Sequence, residues 1–109
     1  MKTQQPEQNT SCLIDMETLE RVAPVLRNIA HPLRLRILDY LNSESAPCSV
    51  SDIMDAAESG QAIVSQQLRI LKDQGVLTAK RDGNYVLYSI TDPSVAQILQ
   101  CIRSKQVRR

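Results

Sequence analysis

A chain of 109 residues has room for one compact core and not for two ordinary domains, and no apolar run in it approaches the ~18 residues of a membrane span. Its composition is 42% hydrophobic but only 3% aromatic, three tyrosines with no Phe or Trp, so Leu, Ile and Val must fill the interior, which favours helices. The formal net charge of +1 hides an asymmetry: residues 1 to 60 carry five basic and nine acidic side chains (net −4), residues 61 to 109 eight basic and three acidic (net +5), a basic end suited to phosphate.

The stretch from Met1 to Ser11 is polar and has no hydrophobic signal core, which predicts a disordered lead-in (1–12), a cytoplasmic protein and no membrane contact. A first helix is expected from about Asp15 to Ile29, with Met16, Leu19, Val22, Ala23, Leu26 and Ile29 at helical spacing. Pro24 removes a backbone donor and predicts a kink or interruption near Val22. Pro32 then suits the first turn of a second helix, which carries Leu33, Ile37, Leu38 and Leu41 inward and stops in the polar stretch from Asn42 to Pro47.

Ser49-Val50-Ser51-Asp52 has the spacing of a capping box and opens a short third helix, about Val50 to Ala57. After a turn at Glu58-Ser59-Gly60, residues Ile63, Val64, Leu68, Ile70 and Leu71 mark a fourth helix that ends at Gln74-Gly75, where glycine can take a left-handed cap. Two helices joined by a tight turn make a helix-turn-helix candidate. The period then changes: Val76 to Arg81 and Tyr85 to Ile90 are β-prone runs bridged by Asp82-Gly83-Asn84, whose Asp-Gly pair signals a hairpin. Asp92-Pro93 supplies a cap and first-turn proline for a last helix with Val95, Ile98, Leu99 and Ile102 on one side. The expected division is a domain over 13–105 and a basic tail over 106–109.

This order, four helices, a small β-hairpin and a last helix, is that of a mainly α winged helix-turn-helix. The fourth helix has the makings of a DNA reader: Gln61, Ser65 and Gln66 offer polar side chains to base edges, while Val64, Leu68 and Leu71 supply an apolar face. Gln67 and Arg69 suit bases or phosphates, with Arg69 assigned to phosphate, and Ala62 and Val64 are included in the DNA-binding set. Lys80 and Arg81 precede the hairpin tip, where a two-stranded ribbon can lay cations along phosphates or in the minor groove, with Asn84 and Tyr85 beside them. Tyr85 and Tyr88 lie three apart and face opposite ways on a strand, one for the core and one for the rim. A Gln/Ser-rich helix alone is equally a solvated one; the adjoining turn and hairpin separate the two cases.

Three blocks in order, LRNIAHPLRLRIL from Leu26 to Leu38, VSQQLRILKDQGVL from Val64 to Leu77 and KRDGNYVLY from Lys80 to Tyr88, make the chain similar to the ArsR/SmtB family of bacterial repressors over Leu26 to Ile102. The resemblance implies a homodimer formed by the first and last helices, a double-stranded operator with inverted-repeat symmetry, repression, and release on sensing an inducer.

The sensor is where the match fails. Arsenic and cadmium sensors of the family carry Cys-x-Cys at the start of the third helix; here Ser49-Val50-Ser51 stands there, with Cys48 just outside. Of the zinc sensors' last-helix ligands only Asp92 matches, with Ser94 and Lys105 in partner positions, and the sole histidine, His31, is read as structural. Neither a metal site nor a cofactor is therefore assigned.

Cys12, Cys48 and Cys101, widely spaced in a chain without export signals, argue against a disulfide framework and remain as candidate sensor thiols. Thiol redox or persulfide sensing ranks first; a metalloid bound by Cys12 of one subunit and Cys48 of the other is second; no cysteine-based sensing is third. The family's thiol sensors place a cysteine in the second helix, where this chain has residues such as Asp39.

Two other functions compete. An enzyme would need a nucleophile with a base, paired carboxylates or a phosphate-cradling loop, and one His and three Gly provide none of these. A winged helix used for protein contact would expose apolar anchors where this chain has a basic hairpin beside Gln61 to Arg69.

Overall fold

The computed structural model describes residues 13–107, so Cys12 and the rest of the lead-in lie outside it, as do the last two arginines. Five helices, α1 (Met16–Ile29), α2 (Pro32–Ser43), α3 (Val50–Ala57), α4 (Gln61–Asp73) and α5 (Ser94–Arg103), pack with strands β1 (Cys48–Ser49), β2 (Leu77–Asp82) and β3 (Tyr85–Ile90). The strands form one antiparallel sheet in the order β1-β3-β2.

Most boundaries follow from local chemistry. The Asp15 carboxylate caps α1 by accepting from the Thr18 N–H at 3.0 Å. His31 caps α2, its Nδ1 accepting from the Leu33 N–H at 3.3 Å, which gives the lone histidine a structural task. Ser49 and Asp52 close the expected capping box on α3. At the end of α4, Gly75 adopts φ +79°, its N–H bonds the Lys72 carbonyl, and the Val76 N–H reaches back to Leu71 at 2.9 Å. This pair of bonds satisfies the last carbonyls of the helix and turns the chain into the wing.

The turn between α3 and α4 lies at Glu58-Ser59-Gly60 as expected, with Glu58 left-handed (φ 53°) and Gly60 extended as N-cap of α4. Three expectations need correction. Pro24 neither ends nor interrupts α1; Glu20, whose carbonyl it leaves without a partner, is exposed to water, so the missing bond is tolerated. The hairpin register pairs Asp82 with Tyr85, so Asp82 belongs to the strand and the loop is Gly83-Asn84 and not the three residues Asp82-Gly83-Asn84. Positive φ at Gly83 alone matches a type II′ turn, whose hand suits the strand twist. Finally, Cys48 and Ser49 form a short strand against Tyr88 and Leu87 that no alternation in the sequence marks.

The core is aliphatic: Ile37, Leu38 and Leu41 from α2, Ile53 and Ala57 from α3, Val64, Leu68 and Leu71 from α4, with Val76, Leu77, Val95 and Leu99. Ile63, placed with the apolar residues of α4, is half exposed. From α1 only Ile29 is buried; Met16, Leu19, Val22 and Leu26 leave an apolar stripe in solvent.

Candidate nucleic-acid interface

The buried residues of α4 recur at positions 64, 68 and 71, which seats the helix on α3 by one face. Its opposite face presents Ala62, Ser65, Gln66 and Arg69, with Gln61 on the flank at the first residue of the helix, all exposed. Spaced by one, three, one and three residues, they form a continuous strip two turns long on the N-terminal part of the helix. Gly60 caps α4 without a side-chain hydrogen bond, so no side chain covers the first N–H groups, and these add a partial positive charge beside the strip.

Two residues of the expected DNA-binding set face elsewhere. Val64 is fully buried and belongs to the core, because it shares the helical face of Leu68 and Leu71. Gln67 is half-buried and its Oε1 accepts from Arg34 Nε at 2.6 Å, so its side chain points back toward the start of α2. The Arg34 guanidinium also donates from Nη1 to the Asn28 carbonyl at 2.7 Å, and Asn28 Nδ2 donates to Gln74 Oε1 at 2.9 Å. Sequence reasoning missed this cluster, since nothing local connects positions 33 and 46 residues apart.

In the wing, the pairs Leu77 with Ile90, Ala79 with Tyr88 and Arg81 with Val86 share the inward face, and Lys80 lies on the other beside Leu87. The hairpin runs past the edge of the core, so Arg81 is exposed although it continues the inward row. The ribbon thus carries one cation on each face, with Asn84 in its loop and Tyr85, 64% exposed, at its tip. Tyr88 packs against the core, so the two tyrosines divide as expected. The one ion pair among the described residues joins Arg103 to Asp39, and Arg69, Lys80 and Arg81 remain available to an anion.

Of the candidate sensor thiols, Cys48 is buried in the core and Cys101 is exposed on α5; both are free. Burial pushes the Cys48 thiol up, Glu44 and Asp52 add to that, and a hydrogen bond with Tyr40 opposes it. Its Sγ donates to the Ala46 carbonyl at 3.4 Å. Among the described residues no three His, Cys, Asp or Glu side chains gather as metal ligands. No helix among them is long and apolar enough to cross a membrane.

Comparison with known proteins agrees with this geometry. Residues 31–79 match the model of the arsR family of bacterial regulatory proteins. The HTH-type transcriptional regulator NmtR of Mycobacterium tuberculosis is 37% identical over 89 residues, which cover 82% of this chain and 72% of that protein. The crystal structure of the antimony-specific transcriptional repressor AntR superimposes with a TM-score of 0.76, with 31% identity and 93% of both chains covered. A homodimeric winged helix-turn-helix DNA-binding domain from Mycobacterium bovis gives a TM-score of 0.67 at 29% identity, covering 82% of this chain and 81% of that one. Fold and relatives together place the chain in the arsR family of bacterial regulatory proteins, as a DNA-binding transcriptional regulator of winged helix-turn-helix form rather than an enzyme.

Proposed function

We propose that the chain works in the cytoplasm as a homodimeric repressor of an inverted-repeat operator, with α4 in the major groove and the β2–β3 wing on the flanking backbone. The observation that carries this reading is the strip of Gln61, Ala62, Ser65, Gln66 and Arg69, exposed while the other face of the same helix is core. Gln66 and Gln61 have the bidentate amides that read adenine, and Ser65 is short enough to let the helix approach. Lys80, Arg81 and Asn84 supply phosphate or minor-groove contacts. Dimerisation rests on the exposed stripe of Met16, Leu19, Val22 and Leu26 on α1 and on Ile102 of α5, which a second copy would cover.

Operator release is assigned to the thiols, Cys101 and Cys12 ahead of the buried Cys48, through oxidation or persulfide formation. A second reading, capture of a trivalent metalloid by cysteines, is favoured by the likeness to a repressor described as antimony-specific. One experiment tests both levels. Duplexes selected by the protein from a random library are titrated against random DNA over a range of salt. A DNA reader shows a steep salt slope together with a sequence-specific surplus of about 1000-fold or more. Loss of the surplus on adding polysulfide but not arsenite or antimonite, abolished by Cys→Ser changes, supports the thiol reading; the reverse supports the metalloid. Equal affinity for selected and random DNA refutes both.

A further inference from the structure

The polar cluster between α1, α2 and α4 is the strongest feature that DNA contact leaves unused. Arg34 stands at the third position of α2, half-buried, and donates to Gln67 Oε1 at 2.6 Å and to the Asn28 carbonyl at 2.7 Å. Asn28, in the last turn of α1, donates from Nδ2 to Gln74 Oε1 at 2.9 Å. Gln67 and Gln74 are seven residues apart, two helical turns or about 10 Å, and lie on the same side of the α4 segment. One corner, where α1 meets α2, is thus hydrogen-bonded to the reading helix at Gln67 and to its C-cap at Gln74. The apolar contacts of Val64, Leu68 and Leu71 hold α4 down, but they are non-directional; directional bonds at two points resist sliding and pivoting.

We infer that Arg34 is a positioning residue for DNA reading: with Gln67, and through the end of α1, it sets the angle of α4 to the dimer helix and thereby the spacing of operator half-sites the protein accepts. The inference rests on the dimeric repressor reading above. α1 touches the rest of its own subunit mainly at its C-terminal end, where Ile29 is its one buried residue. In a dimer joined along α1, the orientation of each reading helix is transmitted through that end. The guanidinium suits the task because it can donate in one plane to two acceptors at once, which an ammonium cannot reproduce. Both of its acceptors here are neutral, so geometry and not charge neutralisation defines the contact.

The test compares wild type, Arg34→Lys, Gln67→Met and the double variant on the duplex that the wild type selects from a random library, and on versions with the half-sites moved apart or together by one base pair. The measured quantity is the preference for the selected spacing over the altered ones. The inference expects each single variant to lower that preference by about tenfold, and the double variant to lower it no further, since the two residues act through one contact. A wild-type preference retained in both single variants overturns it. So does a Gln67→Met protein that keeps its spacing preference but loses discrimination at one base pair, which would make Gln67 a base reader. A lowered melting temperature with the preference intact reduces the cluster to a structural role and also overturns it. If the wild type selects no sequence, the repressor reading fails, an outcome distinct from the other three.

Discussion

Cys48 on β1 stands directly across from Tyr88 on β3, and the pair shares the inward face of the sheet. The thiol nearest the helix-turn-helix is therefore shut into the core, while Cys101 lies in the open on α5. Burial and the nearby carboxylates of Glu44 and Asp52 raise the Cys48 thiol, which lowers its thiolate fraction at neutral pH. Alkylation of the native protein should modify Cys101 before Cys48, with Cys48 slower by about 100-fold or more until the protein is unfolded. Mass spectrometry of peptides from a timed iodoacetamide reaction measures this, and equal rates would contradict the burial of Cys48.

The two backbone switches that frame α4 predict opposite mutational signs. Glu58 holds φ 53° with a side chain, so Glu58→Gly should stabilise the fold by about 0.5–1 kcal/mol. Gly75 holds φ +79° with open space around it, so Gly75→Ala should destabilise by about 1 kcal/mol through backbone strain alone. Chemical denaturation at fixed protein concentration compares them, because the midpoint of a dimer depends on concentration.

Acid should loosen the start of α5. The Asp92 carboxylate accepts from the Ser94 hydroxyl at 2.7 Å and from the Ser94 N–H at 2.9 Å, and these bonds hold its pKa below the ordinary 3.8. A depressed folded-state value means that the stabilisation is complete above about pH 3.8 and fades as the pH falls through the lower folded value. Asp15, capped onto Thr18, titrates in the same direction. Asp92→Ala should therefore lose stability at neutral pH and show a shallower further loss below pH 4 than the wild type, as read by thermal melts across pH.

Reading strip and wing should separate by salt. Lys80→Ala and Arg81→Ala, which remove exposed cations from opposite faces of the ribbon, should weaken selected and random DNA alike and reduce the salt slope by about one each. Gln66→Ala should leave the slope unchanged and cost about 1–3 kcal/mol on the selected duplex only. Fluorescence anisotropy over a salt series distinguishes the two patterns.

Features that depend on residues three to five apart were legible in the sequence. The capping box of Ser49 and Asp52, the Gly75 stop, the turn of period into the hairpin and the aliphatic rows of α2 and α4 all follow from hydrogen bonds or side-chain directions within one turn or one strand pair. Most of the exposed polar strip follows as well, since burying positions 64, 68 and 71 commits 62, 65, 66 and 69 to the other side; Gln61, three residues before Val64, lies nearer the core face and is exposed at the first residue of the helix. By the same periodicity Val64 belongs with the core and not with the strip.

Tertiary structure alone decided which polar side chains turn inward and which strands meet. Gln67 has the same chemistry as Gln66, yet one helical step brings it within reach of Arg34, 33 residues earlier in the chain. Cys48 and Ser49 are too short a run to show alternation, and they become a strand because β3 offers an unpaired edge. A hydrogen bond between distant residues depends on how whole elements dock, and that docking is set by the summed packing of the aliphatic core, a quantity no local window contains.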